Sequence, residues 1–163
     1  MTTFYGKYRG TVVNDVDPMS RGRVQVSVPS VLGGSTSWAE ACVPFAGDQV
    51  GLFAVPPVGA NVWVEFEAGD PELPILAGCF WGPGQVPGPG LPTTKVLRTD
   101  GITVSLDDLP GGTGLTIHVG PPAVPLAMTV ALSAAGIELS VGSSKLVLSA
   151  ASVSVNNGAL EVV

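Results

Sequence analysis

From Gly101 to the end of the chain, apolar and small polar residues alternate through strand-sized runs separated by short turns. The runs read "GITVSLDD", "GLTIHVG", "LAMTVALSAAG", "GIELSVG", "KLVLSA", "SVSVNN" and "ALEVV". A period of two puts alternate side chains on one face of a strand. That face holds Ile102, Val104 and Leu106, then Leu115, Ile117 and Val119, then Met128, Val130 and Leu132. It continues through Ile137, Leu139, Val141, Leu146, Leu148, Val153, Val155, Leu160 and Val162. The opposite face is Ser, Gly, Thr and Asn with few charges. Successive runs shorten to a spacing of about seven residues near the end, a weak internal repeat.

The first half carries the same period in about five strands, at 4–14, 22–28, 38–44, 60–67 and 74–80. In "NVWVEFE", Val62, Val64 and Phe66 share one face, opposite Trp63, Glu65 and Glu67. No long helical pattern interrupts either half, so the fold class is all-β. Five short antiparallel strands in roughly eighty residues suit a small barrel of the OB type. Between the halves lies "GPGQVPGPGLPTT", residues 82–94, whose alternating prolines and glycines fit neither ladder nor helix. The organisation expected is a barrel domain at 1–82, a connector at 83–94 and a second β domain at 95–163.

Composition changes the reading of the second half. All the aromatic residues precede the connector; the second half contains no Phe, Tyr or Trp. Charged residues make up 12% of the chain, against about 25% in an ordinary soluble domain. A sandwich, a solenoid and an intertwined multichain helix all satisfy the alternation. A sandwich core normally has larger anchors, and a lone chain exposing this stripe would carry an apolar patch beyond what soluble monomers tolerate. Three chains around one axis would make each stripe interior and pair the open strand edges. The expectation is therefore an intertwined homotrimer whose core is the set from Ile137 to Val162.

The net charge of −6 disfavours nucleic acid as a partner. Lys7, Arg9, Arg21 and Arg23 cluster near the start, but Asp15 and Asp17 lie among them, which favours a charge ladder over a phosphate site. "MTTFYGKYRG" lacks the apolar core of a signal peptide, and no run reaches the ~20 apolar residues that span a bilayer. Cys42 and Cys79 are too few for a disulfide framework or a zinc site and are expected to be buried free thiols.

The stretch from Gly22 to Gly82 resembles the OB-fold domain of phage baseplate assembly protein V, the central spike, and the matching part of VgrG proteins of type VI secretion. The marks are "GRV.V", "WA…P.AG" and "GLF..P.VG..V.V.FE.GDP..P...G", closed by an aromatic residue and Gly. The tail from Ile137 to Val163 is similar to the triple-stranded β-helix that follows this domain in such spikes. Within the motif, Gly69 permits a positive φ, Asp70 caps the turn and Pro71 fixes its exit. Pro74 starts a strand where no donor is needed, and Gly78 allows close backbone approach.

The resemblance implies a homotrimeric central spike at the tip of a contractile phage tail or phage-like injection particle. Such a spike docks on a trimeric hub and pierces the target envelope in transient contact with its membrane. VgrG chains carry a hub-like region before the OB domain; none precedes it in this sequence, so a separate hub protein is expected. A lysozyme domain found in some phage spikes is replaced here by the connector. Leu160, Glu161, Val162 and Val163 leave a blunt end on which a PAAR-type tip protein is expected. Synthesis and assembly in the cytoplasm follow from the missing signal peptide.

Enzymatic chemistry finds little support. His118 alternates outward with Ile117 and Val119, and the H-x-H pair that holds iron in some related spikes is missing. Glu65 and Glu67 mimic a carboxylate pair but read as a solvated edge, and Asp107–Asp108 before "LPGGTG" reads as a turn. No nucleophile elbow or phosphate-binding loop occurs. No catalytic residue, cofactor or metal is expected. The alternative function is an OB-fold binding module for single-stranded nucleic acid or oligosaccharide, with Trp38, Trp63 and Trp81 as stacking platforms. A receptor-binding trimeric fibre is a third option that the barrel motif disfavours. Loops 29–37 and 45–59 are candidate hub contacts.

Overall fold

The computed structural model describes residues 2–163. The chain divides into two compact units, one ending at Gly84 and one beginning at Gln85.

The first unit contains β1 (Tyr8–Asn14), β2 (Val24–Ser27), a single helical turn α1 (Pro29–Leu32), β3 (Thr36–Ala41), the short β4 (Ala46–Gly47) and β5 (Val50–Gly51), β6 (Asn61–Phe66) and β7 (Pro74–Cys79). Strands β1, β2, β3, β7 and β6 close into a five-stranded barrel. Neighbours are antiparallel except β3 and β7, which run parallel. The interior is narrow, so it is filled mostly by β-branched side chains that pack well on a pleated surface. Val12, Val24, Val26, Val28, Ala39, Val62, Val64, Phe66 and Leu76 form it. The period-two expectation for β6 is met: Val62, Val64 and Phe66 are buried. Gly10 is required where β1 crosses the barrel, because a Cβ there would sit 2.9 Å from the Ser27 carbonyl oxygen and 3.2 Å from Val28 and Val64. The N-terminal segment closes one end, with the Phe4 amide donating to the Gly69 carbonyl and Phe4, Tyr8 and Phe66 in mutual ring contact.

The second unit is one eight-stranded antiparallel sheet in sequence order: β8 (Thr94–Arg98), β9 (Ile102–Asp107), β10 (Gly114–Val119), β11 (Met128–Ser133), β12 (Gly136–Val141), β13 (Ser144–Leu148), β14 (Val153–Val155) and β15 (Leu160–Val162). Every connection is a hairpin. The β12–β13 turn needs only Gly142 and Ser143 between paired residues, and the β14–β15 turn uses Asn156 and Asn157 at positive φ. Asn is among the few side chains that tolerate that region. Asn156 also ties its turn to β13, accepting from the Lys145 amide through Oδ1 and donating its own amide to the Lys145 carbonyl.

Three elements fall outside the sequence-based expectation. Strand β8 occupies the last connector residue and the four that follow it, α1 occupies a loop, and the β4–β5 hairpin was not anticipated. The cysteines also differ: Cys42 and Cys79 are free but exposed. Cys42 follows the last residue of β3, and Cys79 is the last residue of β7, paired with Val62 beyond the Gly78 bulge and past the end of the β3–β7 ladder.

Candidate interaction surfaces

In an antiparallel sheet, directly paired residues project to the same face, so the register turns a pattern along each strand into rows across the sheet. One row runs Leu97, Val104, Ile117, Val130, Leu139, Leu146, Val155, Leu160. The next runs Lys95, Leu106, Leu115, Leu132, Ile137, Leu148, Val153, Val162. A third, shorter row joins Ile102, Val119, Met128 and Val141, ending at Ser144. Apart from Lys95 at one end and Ser144 at the other, this face is continuous hydrocarbon. All nine residues expected in a trimer core lie on it.

No second layer covers this face within the unit; Gly120 is its one buried residue. Cross-strand neighbours shield about half of each side chain: Leu146 keeps 38% of its surface exposed and Leu160 keeps 61%. The opposite face carries Arg98, Thr103, His118, Thr129, Ser140 and Lys145 in one row. On it Lys145 pairs with Glu138 at 2.6 Å, and His118 Nδ1 lies 3.3 Å from Thr129 Oγ1. Strand β15 is the sheet edge. There Glu161 accepts from Ser152 Oγ at 2.7 Å, Leu160 and Val162 are mostly exposed, and Val163 is fully so.

In the barrel, the turn motif is tied together by backbone geometry and local hydrogen bonds. Gly69 has φ +79° and a Cβ on it would strike Thr3 and Phe4. The Asp70 carboxylate accepts from the Glu72 amide at 3.0 Å, its amide donates to the Glu67 carbonyl, and its carbonyl accepts from Leu73. Pro74 is buried and pairs with Phe66. Gly78 sits at a β-bulge opposite Trp63 and Val64, and a Cβ there would meet open space. Its use is the bulge conformation (φ +154°) rather than close approach.

The barrel cations are all engaged. Lys7 pairs with Glu65 at 2.6 Å and Arg21 with Glu40 at 2.9 Å. Arg9 lies over Trp63 and Phe80, and Arg23 over Trp38. Two of the three tryptophans are thus stacked by the chain's own guanidinium groups, and Trp81 is the exposed one. Arg23 also grips Asp17, Nη2 to Oδ1 at 2.8 Å and Nε to Oδ2 at 3.2 Å. That pairing, helped by the amides of Met19, Arg21 and Arg23, holds the Asp17 carboxyl well below the usual carboxylate range despite desolvation.

The groups considered for chemistry are not brought together. Glu65 is committed to Lys7, Asp107 accepts from the amides of Leu109 and Thr113, and Asp108 pairs with Lys95. Among the described residues no cluster of three His, Cys, Asp or Glu side chains could hold a metal ion. No helix among them is long and apolar enough to cross a membrane.

Loop 45–59, expected from the sequence as a candidate hub contact, lies within a longer apolar surface from Ala41 to Ala60 whose extent sequence reasoning did not recognise. Asp48 is its one charged residue, and Phe45, Val50, Leu52, Phe53 and Val58 are all exposed. A groove of about 550 Å³ runs between the β4–β5 hairpin and Ser20–Gly22. The signal was present as a nearly uncharged twenty-residue run between two barrel strands.

Comparison with known proteins agrees with both halves. Residues 8–81 match the type VI secretion system/phage-baseplate injector OB domain, and residues 94–161 match the phage baseplate V C-terminal trimerisation domain. The chain is similar to the actin cross-linking toxin VgrG1 of Vibrio cholerae serotype O1, 39% identical over 69 residues, which is 40% of this chain and 6% of that protein. It is also similar to the type VI secretion system spike protein VgrG3 of Vibrio cholerae serotype O1, 37% identical over 87 residues, 48% of this chain and 9% of that one. The chain thus spans less than a tenth of either relative's length. With two adjoining domain matches that together take in most of its residues, the chain belongs to the phage baseplate V family of VgrG-like spike proteins.

Proposed function

We propose that this protein is the central spike of a contractile tail or phage-like injection device, acting as three identical chains. The barrel docks on a trimeric hub, and the sheet unit wraps with two copies into a prism that drives into the target envelope. One observation carries the reading: an eight-stranded sheet whose whole apolar face has nothing over it within its own unit. Three such faces turned to one axis bury each other. A side chain fully buried gains roughly 1.5–3 kcal/mol; because each is already about half covered, assembly collects about half of that per residue. Summed over the rows, this favours a prism that does not come apart during penetration.

The edge strand and the residue after it, Leu160, Glu161, Val162 and Val163, suit a PAAR-type tip protein, since their apolar side chains are open there. The trimer core is assigned to Ile137, Leu139, Val141, Leu146, Leu148, Val153, Val155, Leu160 and Val162. The turn at Gly69, Asp70, Pro71, Pro74 and Gly78 is given a scaffolding role only. The family is one of structural spike and baseplate domains. One relative is named for actin cross-linking, and the matched 6% of its length gives no ground for carrying that activity over.

Light scattering on the purified chain tests this reading. Three chains of 16.5 kDa give about 50 kDa. A well-ordered species of 16.5 kDa would overturn it.

A further inference from the structure

We infer that the Ala41–Ala60 segment is a second self-association surface, through which the barrels of neighbouring copies meet within the trimer. The inference rests on the trimeric reading above and goes beyond it, because the matched trimerisation domain begins only at residue 94.

Three observations point to a copy of this chain as the occupant. First, the surface is apolar out of proportion to its surroundings. Phe53 keeps 80% of its area exposed and Val50 65%, whereas its surroundings carry ion pairs such as that of Arg21, in the loop before β2, with Glu40 on β3. Exposed patches of this kind mark contact sites. Second, charge selects which side of the barrel can face its own copies. The barrel unit has four cations (Lys7, Arg9, Arg21, Arg23) against eight carboxylates (Asp15, Asp17, Glu40, Asp48, Glu65, Glu67, Asp70, Glu72), a net −4. Like-charged barrels repel, so they approach most readily through the segment that bears Asp48 alone. Third, the tether makes a small patch sufficient. Residues 84–94 extend to at most about 35 Å, so trimerisation holds three barrels at an effective concentration in the millimolar range. A few exposed side chains fall short of the roughly 800 Å² per partner that a free-standing interface needs, but a tethered contact does not have to meet that figure.

The test uses the full-length chain with Cys42→Ser and Cys79→Ser, so that one introduced thiol takes the label. Asp48→Cys, at the tip of the β4–β5 hairpin, is labelled with pyrene maleimide; Glu72→Cys is the control. The loop that holds Asp48 enters β6 at Asn61, whereas Glu72 follows its other end at Phe66, about 17 Å away along the strand. Pyrene excimer emission is expected from the residue-48 label and not from the residue-72 label. Adding Phe53→Ser should cut the excimer signal several-fold while the mass stays trimeric. A trimer without excimer emission at residue 48, or with equal emission at both sites, overturns the inference and leaves the spike reading standing. If the label instead responds only to added phosphatidylglycerol vesicles, the patch faces lipid and the inference fails. A monomeric mass brings down both readings.

Discussion

Leu139 and Leu146 are direct register partners across the β12–β13 hairpin, and the row they share extends from Leu97 at one sheet edge to Leu160 at the other. A charge placed in the middle of that row meets its own copies if three chains converge. Leu139→Lys forfeits about half of the 1.5–3 kcal/mol of a full burial, roughly 0.7–1.5 kcal/mol per chain, and adds the cost of desolvating three ammonium groups at one level. Light scattering is expected to drop from a mass near 50 kDa to that of the single chain. Ser140→Glu, on the polar face and opposite Lys145, should leave the mass unchanged. Equal loss in both variants would contradict the assignment of faces.

Barrel closure depends on a backbone position without a side chain. Gly10→Ala pushes a methyl group against the Ser27 carbonyl and the Val28 and Val64 methyl groups. Overpacking of this sort costs about 1–3 kcal/mol. Urea unfolding followed by tryptophan fluorescence should show a lower midpoint with little change in slope. An unaltered midpoint would mean that β1 can move away at no cost.

The features that could be read from sequence were those fixed by local period. Val62, Val64 and Phe66 alternate inward because a strand has no other way to present them, and the same holds for Ile137, Leu139 and Val141. Register is different in kind. That Leu139 meets Leu146 and Val130 is decided by hairpin geometry, and only those pairings turn separate stripes into a continuous face. Strand β8 gives no clear strand signal because "TKVLR" does not alternate cleanly: Lys95 lies on the apolar face and Val96 on the polar one. The β4–β5 hairpin has two residues per strand, too short to carry any period. Cys42 and Cys79 were expected inside because Cys is commonly buried; ending a strand overrides that tendency.

Asp70 offers a direct check on whether the turn motif is scaffold or chemistry. Its carboxylate oxygen receives the Glu72 amide, which locks the turn between β6 and β7. Asp70→Ala removes the acceptor and should cost about 0.5–1.5 kcal/mol. Asp70→Asn keeps a carbonyl oxygen in the same place and should retain most of that stability. A scaffold role predicts this ranking in unfolding measurements. If Asn proves as damaging as Ala, the negative charge itself is needed and the turn is more than a cap.

The Asp17–Arg23 pair gives the barrel an acid dependence of known sign. The Arg23 guanidinium is the main reason the Asp17 carboxyl is depressed in the folded state. An unfolded Asp titrates near 3.9. Between that value and the lower folded one, the unfolded chain takes up a proton that the folded chain refuses, so folding weakens as pH falls. Above about pH 4 the contribution is fully present. Asp17→Asn keeps the shape but loses the ion pair, so at pH 7 its urea midpoint should lie below that of the parent. As pH drops from 4 towards 2 the two midpoints should converge, because protonation takes from the parent what the substitution has already taken. Both side chains are almost covered, Asp17 at 4% and Arg23 at 13% exposure, so 0.5 M salt should leave the gap at pH 7 largely intact, unlike that of an exposed pair. A gap that stays constant from pH 7 to pH 2 would place the origin of the Asp17 effect in its backbone hydrogen bonds and not in the charge shared with Arg23.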